Sequence, residues 1–415
     1  MAPMSWDLSF AELGRVLRIT GCLEVVDALR QALPGWSVEV FDAAGEAPAI
    51  ELWREEGGYR QYSPELPQGL LLTTTTEAAC SLVADLVATY TEHHPELIGL
   101  HCASVEIDGR LVIFPASHRA GKSTLTAAFA AASYKVFGDD VLALTAQGQG
   151  QGLGIAPRLR LPLPAGLAVE LVEFVQQHAG PADTRYSYLV PPAGGLAYHG
   201  ETRPLGAVIL LARDAAIMTP QLSRLAPGDG LLQLLCQNFA HDAPSELLVE
   251  RLLPLMEHTP CLLLSYSEPM AAVEAVQAAV SEPSLLVAPC EPAEAFAPAT
   301  APRCMGDELW MPGATVLEYP LEEELFLVAA TDGAIHRLNP SGRVIWQLLR
   351  QESLSAYELA ELLSEHYAQP LEEVLVDVQE LLGRLANAGL IGSVAAATAA
   401  TATSLNLESC CAETR

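Results

Sequence analysis

The sequence predicts an α/β core built round a phosphate-binding loop, followed by a small α+β domain with winged-helix-like element order. Three observations point there. Apolar, strand-like Arg110-Leu111-Val112-Ile113-Phe114 runs through a loop ending in Gly121-Lys122-Ser123-Thr124 into an alanine-rich helix, Leu125 to Ser133. A Pro/Ala-rich stretch with no amphipathic period occupies 282–305 and reads as a semi-rigid linker. Beyond it, over 306–393, three short strand patterns precede three helix patterns. With 415 residues there is room for two or three domains. The expected division is a core over 1–281, the linker, the small domain over 306–393 and a flexible tail over 394–415.

Residues 1–70 form the N-terminal strand/helix part of the core. Trp36 to Phe41 alternates as a strand, and Ile50 to Trp53 is expected to continue it. Thr74-Thr75-Thr76-Glu77 fits a capping box ahead of a helix ending near His93. His101 opens a strand that turns through Asp108-Gly109, a strong hairpin signal, into the strand feeding the loop.

The loop residues Ala116, Ser117, His118, Arg119, Ala120, Gly121, Lys122, Ser123 and Thr124 are the candidate phosphate cradle. Amide groups and the dipole at a helix start favour an anion. Lys122 adds a point charge, and the Ser123 hydroxyl reaches Mg²⁺. Only two of the 22 basic side chains are lysines, Lys122 and Lys135, so an ammonium at this place suggests a specific need. Ala116 stands where the usual G-x-x-x-x-G-K-[ST] pattern has its first glycine. Downstream, Val136-Phe137-Gly138 ends in Asp139-Asp140. One carboxylate there suits a Mg²⁺-positioning group with Ser123, and its neighbour suits a proton acceptor.

Residues 145–200, with Gly148, Gly150, Gly152 and Gly154 in succession, read as a flexible loop over the site. Arg158 and Arg160 share one face of an extended segment, where they contact either phosphate or the acidic surface. Arg203 and Arg213, at the two ends of a buried strand round Ala207 to Leu211, are lesser candidates for the same role. Cys261 to Tyr266 is the last strand of the core, with a helix through Val280.

His101, the Ala116–Ser123 loop and the Asp139-Asp140 pair together resemble the HPr kinase/phosphorylase family, in its divergent kinase-like branch. The resemblance covers roughly 70–280, with recognisable motifs over about forty residues. The family's loop reads G-x-S-G-x-G-K-S; here Ala116 and Arg119 replace its earlier glycines and His118 its serine, while Ser117 falls on a variable position. The resemblance implies a P-loop kinase core with ATP and Mg²⁺ as cofactors. It implies Asp140 as general base, Asp139 on the metal side and His101 supporting the reacting phosphate. The two aspartate roles are open to exchange.

In the C-terminal domain, Asp332-Gly333 joins two strands, Asn339-Pro340 starts the first helix, Ser355 and Glu358 cap the second, and the third runs from Pro370 to a stop at Gly389. Together with Leu338-Asn339-Pro340-Ser341-Gly342, Ile345-Trp346 and Leu385 to Ile391, this resembles the PqqD-like peptide-recognition family, found alone or fused to enzymes that modify ribosomally made peptides. The resemblance implies a precursor peptide lying against an open strand edge at Ala334, Ile335, His336, Arg337 and Leu338, with the third helix as the other wall.

Composition excludes other classes. A formal net charge of −29 argues against nucleic acid. The third helix of the small domain sets Glu372, Glu373, Asp377 and Glu380 against Arg384 alone, which argues against DNA there too. No run of eighteen uncharged apolar residues suggests a membrane span, and the N-terminus has no secretory pattern. Nine cysteines without a C-x-x-C pair read as reduced and cytoplasmic. The combined expectation is an ATP-dependent kinase acting on a Ser/Thr hydroxyl of a captured precursor peptide. A nucleotide-binding chaperone or regulatory module, and a small-molecule kinase, stay open, as does a homo-oligomer.

Overall fold

The computed structural model describes residues 3–116, 120–239, 243–282 and 308–394. The expected linker apart from Glu282, residues 306–307 of the expected small domain, the tail beyond 394, and Ser117, His118 and Arg119 lie outside the described residues. The chain forms two compact units, Met1–Asp242 with Pro254–Glu291, and Ala243–Leu253 with Pro292–Arg415.

The first unit opens with β1 (Ser5–Phe10), β2 (Gly14–Thr20), α1 (Glu24–Ala32), β3 (Val38–Asp42), β4 (Ile50–Glu55), β5 (Gly58–Tyr62) and β6 (Leu70–Leu72). These strands make one sheet in the order β3-β1-β2-β4-β5-β6. Thus β4 does not continue β3: it lies beside β2, and β3 is an edge. Leu8, Leu17, Ile19, Ile50 and Leu52 are fully buried, and Val25, Val26 and Leu29 of α1 join the same core. Next comes α2 (Thr75–His93), where the Thr74 hydroxyl accepts the Glu77 N–H and Glu77 accepts from Thr73.

The second part of the unit runs through β7 (Ile98–Leu100), β8 (Cys102–Ile107), β9 (Arg110–Pro115), α3 (Lys122–Ala131), β10 (Val136–Gly138), β11 (Leu142–Leu144), β12 (Gln149–Gln151), β13 (Arg158–Arg160), α4 (Val169–Gln177), β14 (Ala179–Ala182), β15 (Tyr186–Leu189), β16 (Thr202–Arg213), β17 (Gln221–Arg224), α5 (Pro227–Cys236), α6 (Ser245–Met256), β18 (Cys261–Tyr266) and α7 (Pro269–Ser281). Most of α6, as far as Leu253, belongs to the other unit. The main sheet has the order β10-β8-β9-β16-β12-β11-β7, and β18 pairs with both β16 and β17. β9, β16 and β18 are parallel. Their carboxyl ends are where open α/β sheets bind ligands. The β8–β9 hairpin turns at Asp108 and Gly109, both with positive φ, as a tight two-residue connection requires.

Residues 145–200 are not a flexible loop. They contain β12 to β15 and α4, with β13, β14 and β15 forming their own sheet. The glycines serve close packing. A Cβ at Gly150 would stand 2.4 Å from Leu111 Cδ1, and one at Gly154 would stand 2.7 Å from Gly35 Cα.

The second unit adds β19 (Trp310–Pro312), β20 (Val316–Leu321), β21 (Glu324–Ala329), β22 (Ile335–Leu338), α8 (Pro340–Gln351), α9 (Ala356–Tyr367), α10 (Leu371–Asn387) and β23 (Ile391–Ser393). The three expected strands form the sheet β20-β21-β22, and the three expected helices follow. Asn339 caps α8 through Gly342 N, and Ser355 with Glu358 forms a full capping box on α9. The short pair β19–β23 was not expected; it joins the start of the domain to its end. Trp346, Leu327, Leu359 and Leu382 are fully buried in the shared core.

Candidate functional site

The loop after β9 delivers two things to α3. Gly121, at φ +97°, is the helix N-cap and offers no capping side chain, so the first amides of α3 have no side-chain acceptor. Lys122 is the first helical residue and is buried. Its Nζ donates to the Ala116 carbonyl at 2.6 Å, folding the side chain back across the loop mouth. Burial lowers the Lys122 pKa, while Asp140, Asp139 and Cys102 oppose that shift. The ammonium and the two carboxylates therefore share one electrostatic site.

The acid pair follows β10. Asp139 is 5% exposed and accepts the Arg158 N–H on Oδ2 at 3.0 Å. Its pKa is pushed up to about 6 by burial and then by Asp140; the Arg158 amide and, more weakly, the Ser123 hydroxyl act the other way. Oδ1 of Asp139 is buried and makes no full hydrogen bond among the described residues. Asp140 differs: its side chain is 47% exposed. Its Oδ1 lies 3.3 Å from His101 Nε2, and its Oδ2 lies 3.5 Å from Arg158 Nη2. One carboxylate is thus buried and short of partners, and the other is accessible and lies beside an imidazole nitrogen and a guanidinium.

Five candidates from distant parts of the sequence, His101, Lys122, Asp139, Asp140 and Arg158, come together here. Ser123 and Thr124 sit half-buried in the first turn of α3, and Ala120 is half-buried before it. Arg160 is exposed on β13, two residues from Arg158. Arg203 is committed elsewhere, to Glu106 at 3.0 Å and Glu201 at 2.8 Å. Among the described residues no group of three or more His, Cys, Asp or Glu side chains is arranged to hold a metal. A Mg²⁺ at Ser123 and Asp139 would need oxygens from a bound phosphate, which is how Mg²⁺ is usually held. The α3 amides without a capping side chain and the unsatisfied Asp139 Oδ1 fit such a pair.

The role of Arg158 was only half visible in the sequence. Its backbone fixes Asp139 and its guanidinium approaches Asp140, because β13 pairs with β15 (Arg158 opposite Tyr188). The fully buried Cys102 was not expected at all; burial pushes its thiol up to about 12, with Lys122 opposing.

In the C-terminal unit, β22 pairs among the described residues only with β21. Ala329 N donates to Ala334 O at 3.0 Å, which fixes the phase of the ladder. With Leu327 opposite His336 and Val328 opposite Ile335, His336 and Leu338 turn their backbone groups toward β21, and Ile335 turns its N–H away. Leu338 is a core side chain, and Arg337 pairs with Glu324 at 2.6 Å. Burial lowers the His336 pKa.

Residues 324–391 match the family model described as Coenzyme PQQ synthesis protein D (PqqD). The C-terminal unit carries a PqqD-like domain. Among solved structures, one titled "TbiB1 in Complex with the TbiA(beta) Leader Peptide" is similar at 23% identity, covering 20% of this chain and 93% of that one, with a TM-score of 0.19. No curated protein matches the chain. Among the described residues no helix is long and apolar enough to cross a membrane.

Proposed function

We propose that this chain is an ATP-dependent kinase that phosphorylates a Ser or Thr hydroxyl of a ribosomally made precursor peptide, held by its PqqD-like domain. The observation that carries the core's part is the meeting of Lys122 at a helix N-terminus with an acid pair of split character. Bound Mg-ATP would supply the γ-phosphoryl group. Lys122 and the α3 amides neutralise the phosphate charge. Asp139 and Ser123 provide the metal-facing oxygens. Asp140, the accessible carboxylate, accepts the hydroxyl proton as the acceptor oxygen bonds to the γ-phosphorus and the bond to the bridging oxygen breaks, leaving ADP. His101 and Arg158 hold the Asp140 carboxylate in position.

The peptide part rests on the family match over 324–391 and on the side of β22 that no strand among the described residues pairs with. An extended leader adds a strand to such an edge, with backbone hydrogen bonds giving affinity. Tethering then raises the local concentration of the acceptor to roughly the mM range.

The test is direct. Full-length protein with Mg-ATP and a precursor peptide encoded beside it should give a phosphopeptide, located by mass spectrometry. Lys122→Ala should abolish both ATP binding and product while leaving circular dichroism unchanged. A wild type that binds ATP yet never phosphorylates peptide defeats the kinase reading and favours a nucleotide-driven chaperone.

A further inference from the structure

A second set of groups faces the same helix start from the other side of β9. Asp139 and Asp140 follow β10, which lies two strands from β9 in one direction. In the opposite direction β9 is followed by β16 and then β18, all three parallel. These two strands end side by side at Arg213 and Tyr266.

Tyr266 is fully buried in the core between the sheet and α3, yet its Oη has no hydrogen-bond partner among the described residues. Burying a hydroxyl without a partner costs stability, so such a group needs an explanation. It is aimed at the loop: a Cβ at Gly121 would stand 2.9 Å from Tyr266 Oη and 3.5 Å from Arg213 Cδ. Glycine at 121 is thus required twice, by its φ of +97° and by the phenol. Arg213 is exposed and makes no ion pair among the described residues. The nearby Asp214 carboxylate is turned into its own loop, accepting Ala216 N–H at 2.8 Å.

We infer that Tyr266 Oη and the Arg213 guanidinium are a second anion contact at the α3 N-terminus, gripping the phosphate chain of a nucleoside triphosphate on the side away from the acid pair. The inference rests on the kinase reading and adds residues to it. The phenol donates one hydrogen bond to a phosphate oxygen, and the guanidinium adds charge at the solvent edge. Neither takes part in bond making.

Mg-ATP titration of the full chain by calorimetry, with thermal unfolding of the ligand-free protein, tests this. Tyr266→Phe deletes only the hydroxyl. It should keep or raise the ligand-free melting temperature while weakening ATP binding about tenfold or more, the usual effect of losing a bond to a charged group. Arg213→Met should also weaken ATP binding, and Arg213→Lys should restore part of it. Unchanged ATP affinity in both Tyr266→Phe and Arg213→Met, with binding still abolished by Lys122→Ala, overturns the inference and leaves the kinase reading standing. A marked fall in ligand-free stability for Tyr266→Phe also overturns it, since the phenol would then be bonded within the protein. A wild type that binds no ATP removes both.

Discussion

The core and the C-terminal unit carry their candidate chemistry on different atoms. In the core, beside the α3 amides, it lies on side chains: Lys122 from α3, the acid pair after β10, His101 ahead of β8 and Arg158 from β13. Their protonation depends on burial and on each other, as the raised Asp139 and the lowered Lys122 illustrate. In the C-terminal unit it lies on the backbone of an edge strand, and register decides which N–H groups face outward. A side-chain site is therefore sensitive to isosteric changes that preserve shape. A backbone edge tolerates most side chains and is sensitive to proline.

The sharpest way to break that contrast is at Asp140. Asp140→Asn keeps the shape and removes the proton acceptor, so phosphoryl transfer should fall by about 10²–10⁴-fold with ATP binding retained. Single-turnover assays with labelled ATP would measure it. If Asp139→Asn gives that pattern instead, the two carboxylates exchange roles. If neither slows transfer, the core's chemistry does not reside in this pair.

The matching change in the C-terminal unit is Ile335→Pro. It removes an N–H turned away from β21, so the domain should fold normally by circular dichroism. Peptide affinity, read by fluorescence anisotropy, should drop about tenfold or more, and phosphorylation of long precursors with it. ATP binding should not change. His336→Pro removes an N–H used within the ladder and should instead unfold the domain. Equal peptide affinity in folded Ile335→Pro would show that the leader does not add to this edge.

The same contrast explains what the sequence revealed. The loop was readable because β9, the turn and α3 are contiguous, and Gly121-Lys122-Ser123 announces the turn. The α8 and α9 starts were readable because capping is local: Asn339, Ser355 and Glu358 act within three residues. Arg158 was visible as a cation, but its contact with Asp140 depends on pairing between β13 and β15. Tyr266 gave no signal, since an aromatic ending an apolar strand looks like any core residue. The glycines from 148 to 154 misled because flexibility and close packing call for the same residue. The β19–β23 pair escaped because two three-residue strands about eighty positions apart leave no pattern.

An effect on stability rather than on activity is expected at Asp139, and it separates a buried functional carboxylate from a merely structural one. Its pKa of about 6 lies above the ordinary value of 3.8. Between those values the folded chain holds a proton that the unfolded chain has released. Stability from this group is therefore full below about pH 4, falls as pH rises through 6, and stays at the lower level above. Asp139→Asn removes that slope, so metal-free variant protein should be more stable than wild type at pH 7 by at most about 3 kcal/mol. The difference should shrink toward pH 5. Thermal unfolding of both proteins across that range measures it. A cation beside Asp139 favours the ionised form, so Mg-ATP should flatten the wild-type dependence and leave that of the variant unmoved. A variant less stable at pH 7 would mean that the carboxylate contributes to the fold as an ion, and that Arg158 N–H outweighs its burial.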